Sequence, residues 1–456
     1  MKRHERPATC YRLAKAQSQI LLGQCFSLEP KKTLESNVVD FYVYAKRDFD
    51  PLAMEKALNC LLARNDALRL RLVWRWGVRQ QINPETYYKP VWMQAANREE
   101  FDAIGRKKPM ISIWAPSLVR AAIVQCADGG GGMFVWCHHL CCDGYSYELI
   151  FHQINVYYQA YRQGQEPAEM PQYSITRFLD YERQYLKSPQ YKADWRWWFR
   201  QYTQQPRFSF PVGRIPWRCV LKTESMVWQE EDYRLLQTLC AQTGCTYVPV
   251  LMAIGALVVY SLTGKENFGL YALTHGRMTL PLKRTVGCMF NTFPVFYDLN
   301  PDQPASAFLQ ESYMTYLEAL SHARFPVGDQ ILMAAKETYI KRFGYNYFWC
   351  VFSAMEFLEQ GHQSDELEMD ALESDNILGM FYCALLHEPS RQCMRIDLTY
   401  QCRRFSKEQI ACVFDTALQL VRRIAGKPER TVRQLGEAIG YLGSSAPLGS
   451  DQRMSL

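Results

Sequence analysis

Hydrophobic residues recur along this chain with two alternating periods, one typical of helices and the other of strands. The run DPLAMEKALNCLLARNDAL, from Asp50, has helical spacing and an Asp-Pro start. RLRLVWRWG then alternates as a strand does and ends at Gly77. Two apolar strands, SLVRAAIVQC and MFVWCHHL, flank ADGGGG, which predicts a turn. GYSYELIFHQINVYYQAYRQG returns to helical spacing and ends at a glycine, as helices often do.

The second half of the chain repeats this mixture after an irregular connection. QQPRFSFPVGRIPW, from Gln204 to Trp217, contains three prolines and one glycine, so we place a lobe boundary before it and predict lobes 1–203 and 204–456. Helices are predicted at EEDYRLLQTLCAQTG, VPVLMAIGALVVYSLTG and SKEQIACVFDTALQLVRRIAG. Strands are predicted at NFGLYALTHG, NTFPVFYDL, YFWCVFSAMEF, FYCALLHE and MRIDLTYQ. The pattern indicates an α/β fold in both halves.

Composition narrows the class of protein. The 456 residues are 48% hydrophobic, which predicts a large core, and 456 residues favour two domains over one. The net charge is +6 and the basic residues are scattered, which argues against a nucleic-acid partner. No apolar run of membrane-spanning length and no signal-peptide pattern occur, so we expect a cytoplasmic protein with no membrane partner and its 16 cysteines reduced.

The stretch FVWCHHLCCDGYSYEL, residues 134–149, concentrates the candidate chemistry. If its start is a strand, His138 and His139 point to opposite faces and cannot both bind one metal ion. The adjacent cysteines also lack the spacing of a zinc pair, so we predict no metal site. Asp143 is a strong helix cap, and His138 suits a buried structural role. A histidine held at a strand end also suits proton transfer near neutral pH.

HHLCCDGYS resembles the HHxxxDG motif of the condensation domains of nonribosomal peptide synthetases. Further segments resemble that family in the same order, from Tyr11 to about Gly426. They are YRLAKAQSQILLG, ARNDALRLRL (with Asn65 where histidine is usual), ITRFLDYERQYLKS, THGRMTLPLKRTVGCMFNTFPV and YFWCVFSAMEF. The last segment departs from relatives that place asparagine there.

The resemblance implies a fold and a set of site residues. Two chloramphenicol-acetyltransferase-like lobes would form a V-shaped pseudo-dimer with a central tunnel. The HHxxxDG positions are His138, His139, Asp143 and Gly144. His139 would act in the tunnel as base or positioning group, and Asp143 would be structural. The arginine paired with Asp143 would be Arg64, Arg69 or Arg277. Tyr145, Ser146, Asn291 and Ser353 would belong to the tunnel or its floor loop.

The resemblance also implies an activity. We expect a free-standing condensation enzyme, similar to the stand-alone amide synthases of siderophore-type pathways, that moves an acyl group onto an amine. An acyl- or aryl-carrier protein would deliver the donor in trans on its phosphopantetheine arm, and this chain would bind no cofactor of its own. The acceptor would be a small amine or a polyamine. A neutral imidazole suits this chemistry, because the attacking nitrogen must lose a proton.

Other functions stay open with less support. A CoA-dependent acyltransferase of the same superfamily is one alternative, although the plant-type DFGWG motif is missing. An ester-forming enzyme with an alcohol acceptor is another. THGRM retains only part of the EGHGR-like motif of epimerisation domains and has no glutamate. Heterocyclisation domains replace both histidines with aspartates, and a non-catalytic recruitment module would usually have lost the HHxxxDG motif.

Two further segments have a structural and a functional interpretation. SDELEMDALESD, Ser364 to Asp375, is acidic and predicts a solvated hairpin or loop, although it would also attract a cationic acceptor. YKADWRWWFRQY holds three tryptophans, which we expect to pack a helix against the lobe interface rather than to stack on a substrate.

Overall fold

A computed structural model describes residues 9–25, 37–170, 173–204, 221–338, 350–356, 366–371, 381–388, 391–403 and 405–439. The chain forms two compact units, and neither is one continuous segment. Unit 1 comprises residues 1–191, 275–290 and 357–376, and unit 2 comprises the rest. This division differs from the predicted single boundary after residue 203, because two segments of the second half belong to unit 1.

Helices and strands alternate through both units. The helices are α1 (Lys15–Cys25), α2 (Pro51–Arg64), α3 (Arg98–Gly105), α4 (Gly144–Arg162), α5 (Ile175–Tyr185), α6 (Pro189–Gln204), α7 (Glu230–Thr243), α8 (Tyr247–Thr263), α9 (Leu280–Lys283), α10 (Ala305–Ser321), α11 (Val327–Thr338), α12 (Lys407–Gly426) and α13 (Val432–Ile439). The strands are β1 (Cys10–Tyr11), β2 (Val38–Ala45), β3 (Leu70–Trp74), β4 (Val78–Ile82), β5 (Val91–Ala95), β6 (Val119–Cys126), β7 (Gly131–His138), β8 (Leu221–Gln229), β9 (Asn267–Thr274), β10 (Asn291–Asp298), β11 (Cys350–Glu356), β12 (Leu367–Ala371), β13 (Phe381–Glu388) and β14 (Cys393–Gln401). The predicted α/β fold is confirmed, and the predicted connection Gln204–Trp217 lies, apart from Gln204, outside the described residues.

Unit 1 is built on a five-stranded sheet in the order β12-β2-β7-β6-β5, with a three-stranded sheet β1-β4-β3 beside it. The predicted hairpin of β6 and β7 is antiparallel, and β7 is buried along its whole length. At the C-terminal end of β7, His138 pairs with Val38 of β2. The central strands therefore fix the position at which the two histidines leave the sheet.

The helix that follows the histidines begins where the sequence predicts. Asp143 caps α4 by accepting a hydrogen bond from the Ser146 backbone N–H at 3.1 Å. The Ser146 hydroxyl lies 3.5 Å from the Asp143 backbone N–H, which completes a capping box. Such caps satisfy backbone donors at the helix start and contribute about 0.5–2 kcal/mol. The loop of residues 139–143 is thus anchored at both ends.

Unit 2 contains a six-stranded sheet in the order β10-β9-β11-β13-β14-β8. Helix α8 is apolar on nearly all sides, and most of its residues are buried, as expected for a helix inside a core. Among the described residues, no single helix is long and apolar enough to span a membrane. Helices α7 and α8 pass that test only jointly, across a bend of 101°.

The acidic segment after Ser364 is predicted as a solvated hairpin or loop. Its described part forms β12, an edge strand that pairs antiparallel with β2. Arg98 binds Glu368 at 2.8 Å, and Arg162 binds Glu366 at 2.9 Å. These two carboxylates are thus paired with arginines inside unit 1. Steering of a cationic acceptor by the whole segment stays a prediction.

Two of the three predicted tryptophans on α6 pack within unit 2. Trp198 is fully buried, and its indole N–H donates to the His322 carbonyl oxygen at 3.0 Å. Trp197 stacks on the His322 ring at 4.3 Å, while Trp195 is 41% exposed. Trp197 and Trp198 thus pack the helix within unit 2, whereas Trp195 does not take part in this core. The predicted packing against the lobe interface stays a prediction.

Candidate active site

The two adjacent histidines have different surroundings, because β7 ends between them. His138 is the last residue of the strand and is fully buried. Its Nδ1 accepts a hydrogen bond from the Leu140 backbone N–H at 3.2 Å, so Nε2 carries the proton and donates to Gln24 at 3.0 Å. Burial lowers the pKa of His138 to about 3. This histidine is neutral, fully hydrogen-bonded and structural.

His139 lies outside the strand and is only partly buried. Its backbone N–H donates to the Asn37 carbonyl oxygen at 2.7 Å, and its Nδ1 lies 2.8 Å from the Cys142 carbonyl oxygen. A carbonyl oxygen only accepts, so Nδ1 carries the proton and Nε2 presents a lone pair. Among the described residues, none forms a hydrogen bond with Nε2. Burial lowers the pKa of His139, and the charge of Asp143 opposes this only in part.

Asp143 is the centre of a buried polar network. One carboxylate oxygen accepts from the Ser146 N–H and hydroxyl and from Arg277, at 2.9–3.1 Å. The other accepts from Arg277 and from the Met289 backbone N–H, both at 2.9 Å. Burial acts to raise the pKa of Asp143, but the charge and hydrogen bonds of Arg277 lower it below the ordinary value. Asp143 is therefore ionised and has an architectural role.

Arg277 is the arginine that pairs with Asp143. Its exposure is 1%, and its guanidinium also donates to the carbonyl oxygens of His275, Thr285 and Gly287. The pair therefore holds the segment 275–290 against the loop that carries His139. Five donors in a fixed planar fork suit this arrangement better than a lysine would.

The other two candidate arginines are not partners of Asp143, so those predictions are wrong. Arg64 donates to the carbonyl oxygens of Pro167 and Ala168 at 3.1 and 2.9 Å. Arg69 donates to the carbonyl oxygens of Leu62 and Asn83. Both side chains tie together local loops around the end of α2, and spacing in the sequence does not reveal this difference.

The remaining predicted site residues have different surroundings. Gly144 begins α4, and Ser146 is buried, with its hydroxyl oxygen accepting from the Gly287 backbone N–H at 3.1 Å. Ser146 thus connects the start of α4 to the segment 275–290. Tyr145 is partly buried, with its ring over the Arg277 guanidinium at 4.6 Å. Ser353 lies on β11, and its side chain is outside the described part of the chain.

Asn291 fixes a turn within unit 2. Its amide donates to the carbonyl oxygens of Ala323 and Phe325, both at 2.8 Å. Its own amide oxygen accepts from the Val327 backbone N–H at 3.0 Å. All three contacts are with main-chain atoms of unit 2, so the side chain determines the path of the residues before α11.

The cysteines around the histidines are poor nucleophiles. The Sγ atoms of Cys137 and Cys142 lie 3.1 Å apart, and both thiols are buried. The hydrogen bond with Cys137, together with burial, raises the pKa of Cys142 well above its ordinary value. Burial has the same effect on Cys141 and Cys288. Thiols of this kind remain protonated, so they act as small packing groups. Within the described residues, no group of three or more His, Cys, Asp or Glu side chains could hold a metal ion.

Sequence reasoning missed two elements of the network. The Met289 backbone N–H donates to Asp143, and no side-chain pattern signals a main-chain donor. His275 precedes Gly276 and Arg277, and its ring lies 4.8 Å from that of Tyr145. The THGR letters offered a signal for His275, since a histidine two residues from a buried arginine lies close to the same network.

An α/β fold with a neutral histidine beside a buried aspartate–arginine pair is consistent with an acyltransferase. The chain matches the condensation-domain family over residues 8–437. Tyrocidine synthase 2 of Brevibacillus parabrevis is 21% identical over 441 residues, and surfactin synthase subunit 1 of Bacillus subtilis is 21% identical over 447 residues. Each alignment covers 94% of this chain and 12% of the length of the relative.

Solved structures show the same fold. The starter condensation domain of rhizomide synthetase superposes with a TM-score of 0.79 at 19% identity, covering 93% of this chain and 96% of that one. The first condensation domain of the calcium-dependent antibiotic synthetase also gives 0.79, at 16% identity, covering 94% and 99%. The chain therefore belongs to the condensation-domain family, whose members are acyl-transferring enzymes that form amide bonds.

Proposed function

We propose that this chain transfers an acyl group from a carrier-protein phosphopantetheine thioester to an amine, with His139 as the proton acceptor. The orientation of His139 is the observation that carries the proposal. The 2.8 Å hydrogen bond from Nδ1 to Cys142 leaves the Nε2 lone pair as the proton-accepting atom. Because burial lowers the pKa of His139, the imidazole is neutral and ready to accept at neutral pH.

The proposed reaction balances without a cofactor. The amine lone pair attacks the thioester carbonyl carbon and forms a C–N bond, and the carbonyl electrons move onto oxygen. His139 Nε2 accepts the proton that attack makes acidic. The intermediate then collapses, the C–S bond breaks, and the leaving thiolate of the arm recovers that proton. A weak base suffices because a neutral amine is already nucleophilic and loses its proton after attack, whereas a neutral alcohol attacks poorly unless a base removes its proton at the same time.

Turnover of a loaded carrier protein tests the role of His139. Wild type should form the amide, as measured by mass spectrometry, and His139→Ala should lose about 10²- to 10⁴-fold in kcat. The melting temperature should stay near that of wild type, because the side chain is only partly buried. His152→Ala is the control, since His152 is exposed on α4. Full activity of His139→Ala would refute the proton-transfer role.

The acyl donor distinguishes the carrier proposal from its CoA alternative. The same acyl group is offered on a separately supplied carrier protein and on CoA. We expect a higher kcat/KM with the carrier, as family membership suggests. The rhizomide synthetase domain was solved with C8-CoA, and this observation favours CoA as the alternative donor. Equal efficiency with both donors would favour the CoA-dependent reaction.

The acceptor is tested separately, and we propose a small soluble amine. A panel containing a monoamine, a polyamine, the matching alcohol and a carrier-bound aminoacyl thioester would be supplied with one fixed donor. Amide from the free amines supports the proposal. Product only from the carrier-bound aminoacyl group, or only from the alcohol, contradicts it. The acidic segment gives only weak support for a polyamine, because two of its carboxylates, Glu366 and Glu368, are paired with arginines.

A further inference from the structure

A second neutral histidine lies beside the same ion pair, with its proton on the opposite nitrogen. His275 Nδ1 accepts a hydrogen bond from the Arg277 backbone N–H at 2.9 Å. A backbone N–H only donates, so Nδ1 carries no proton and Nε2 carries it. His275 therefore presents a hydrogen-bond donor, whereas His139 presents an acceptor. Burial and the neighbouring charge of Arg277 lower the pKa of His275, which keeps its ring neutral.

The backbone holds His275 in this orientation. Gly276 has a φ of +70°, and a Cβ atom there would lie 2.0 Å from the Met289 carbonyl oxygen. The His275 carbonyl oxygen accepts from Arg277 at 2.9 Å, so the same arginine binds this residue at two points. The ring packs against Tyr145 at 4.8 Å. The imidazole is thus positioned by rigid neighbours, as a group that binds a developing charge has to be.

Hydrogen bonds connect both histidines to residues in or next to the Asp143–Arg277 pair. His139 is held through Cys142, the residue before Asp143, and its ring lies 5.2 Å from that of Phe290, the residue after Met289. His275 is held through Arg277 itself. Both histidine residues are partly exposed, while the Asp143–Arg277 ion pair is buried. Among the described residues, none forms a hydrogen bond with His275 Nε2.

We propose that the Nε2–H of His275 donates a hydrogen bond to the thioester carbonyl oxygen as it becomes an oxyanion, while His139 accepts the proton of the amine. This proposal rests on the proposed acyl transfer and adds a transition-state contact to it. Attack on a carbonyl creates one proton to remove and one negative oxygen to stabilise. The two imidazoles, held in opposite tautomers, supply one acceptor and one donor. Removal of a single oxyanion donor typically lowers kcat by about 10²- to 10³-fold.

Two variants of His275 separate the effect of its N–H donor from the effect of its ring volume. His275→Phe keeps an aromatic ring against Tyr145 but has no N–H. His275→Gln keeps an amide N–H at a similar distance from the backbone. With the loaded carrier and a fixed amine, we expect His275→Phe to lose at least about tenfold in kcat with little change in donor KM. His275→Gln should retain clearly more activity than His275→Phe, and His152→Phe is the surface control.

The outcomes are distinguishable. If wild type and His152→Phe make no amide, the acyl-transfer proposal itself fails. If wild type is active and His275→Phe matches it, the role of His275 alone is wrong. Equal loss in His275→Phe and His275→Gln, or a rise in KM with unchanged kcat, also overturns the oxyanion contact. Melting temperatures of all variants are measured in parallel, and a folded His275→Gln with recovered kcat supports the proposal even if His275→Phe is unstable.

Discussion

Asp143 serves three parts of unit 1 through one carboxylate: the start of α4, the Arg277 guanidinium and the Met289 backbone. Removing the carboxylate leaves the positive charge of Arg277, whose exposure is only 1%, without its partner. We expect Asp143→Ala to lower the free energy of unfolding by about 3–5 kcal/mol, as loss of one member of a buried ion pair does. Chemical denaturation measures this loss.

The matched control for this prediction removes the buried charge as well. In Asp143→Ala/Arg277→Met no unpaired guanidinium is left inside unit 1. The double variant should therefore lose less stability than the sum of the two single variants. If Asp143→Ala is as stable as wild type yet inactive, the aspartate has a chemical role and our assignment is wrong.

His138 predicts a pH dependence of stability. Its folded pKa is about 3, below the ordinary 6.5, so the unfolded chain binds its proton more readily. The stabilising contribution of the neutral ring is therefore complete above pH 6.5 and decreases as the pH falls from about 6.5 to about 3. The slope is at most about 1.4 kcal/mol per pH unit. Denaturation of wild type and His138→Gln across this range should show a steeper loss in wild type, and parallel curves would contradict it.

The sequence was informative about individual residues where the cause is local. Asp143 as a cap and His138 as a buried group follow from neighbours within a few positions. The partner of Asp143 did not follow, because Arg277 lies 134 positions away and Arg64 and Arg69 were equally plausible from composition. The role of His275 depends on a main-chain hydrogen bond, which no pattern of side chains encodes.

At the scale of elements, Gly276 allows the turn that carries Arg277. Its φ of +70° disfavours a side chain, and the Met289 carbonyl oxygen leaves no space for a Cβ atom. Gly276→Ala should therefore destabilise the protein by more than the backbone strain of a positive φ, because the new Cβ atom also collides with the Met289 carbonyl group. We expect it to lower turnover as well, because it displaces Arg277. Gly244→Ala is the matched control, because Gly244 has a φ of +68° but nothing within 4 Å of a Cβ. We expect Gly244→Ala to lower the free energy of unfolding by about 1–2 kcal/mol. Equal losses in both variants, measured by thermal unfolding, would contradict the prediction.

Predicted elements agree with the structure where the hydrophobic period is long and clean. Helices α2 and α4 begin and end close to their predicted limits. For the edge strand β12 the prediction left a hairpin and a loop open, because the acidic content of the segment weighed against its alternation. Leu367 and Met369 are buried, and between them Glu368 meets Arg98. The alternating letters LEMDA were the available signal, and the buried partners of that strand lie in a distant part of the chain.

At the scale of the whole molecule, unit 1 contains two segments from the second half of the chain, 275–290 and 357–376. A fragment of residues 1–203 would lack Arg277, the Met289 donor and β12. We therefore expect this fragment to give little soluble protein and no cooperative thermal transition, despite containing both histidines. The control is the fragment co-expressed with residues 204–456, which restores all three contacts. A cooperatively folded 1–203 fragment on its own would show that the added segments are dispensable.

The position of β12 also has a consequence for synthesis on the ribosome. Tyr42 of β2 and Glu368 of β12 are neighbours in the sheet but lie 326 positions apart. At about 5–20 residues per second, β12 is translated about 16–65 s after β2. During that interval one edge of β2 has no strand to pair with, and an open strand edge can recruit other chains. The nascent protein is therefore most vulnerable to aggregation before residue 371 is made, and faster elongation through the second half would shorten that period.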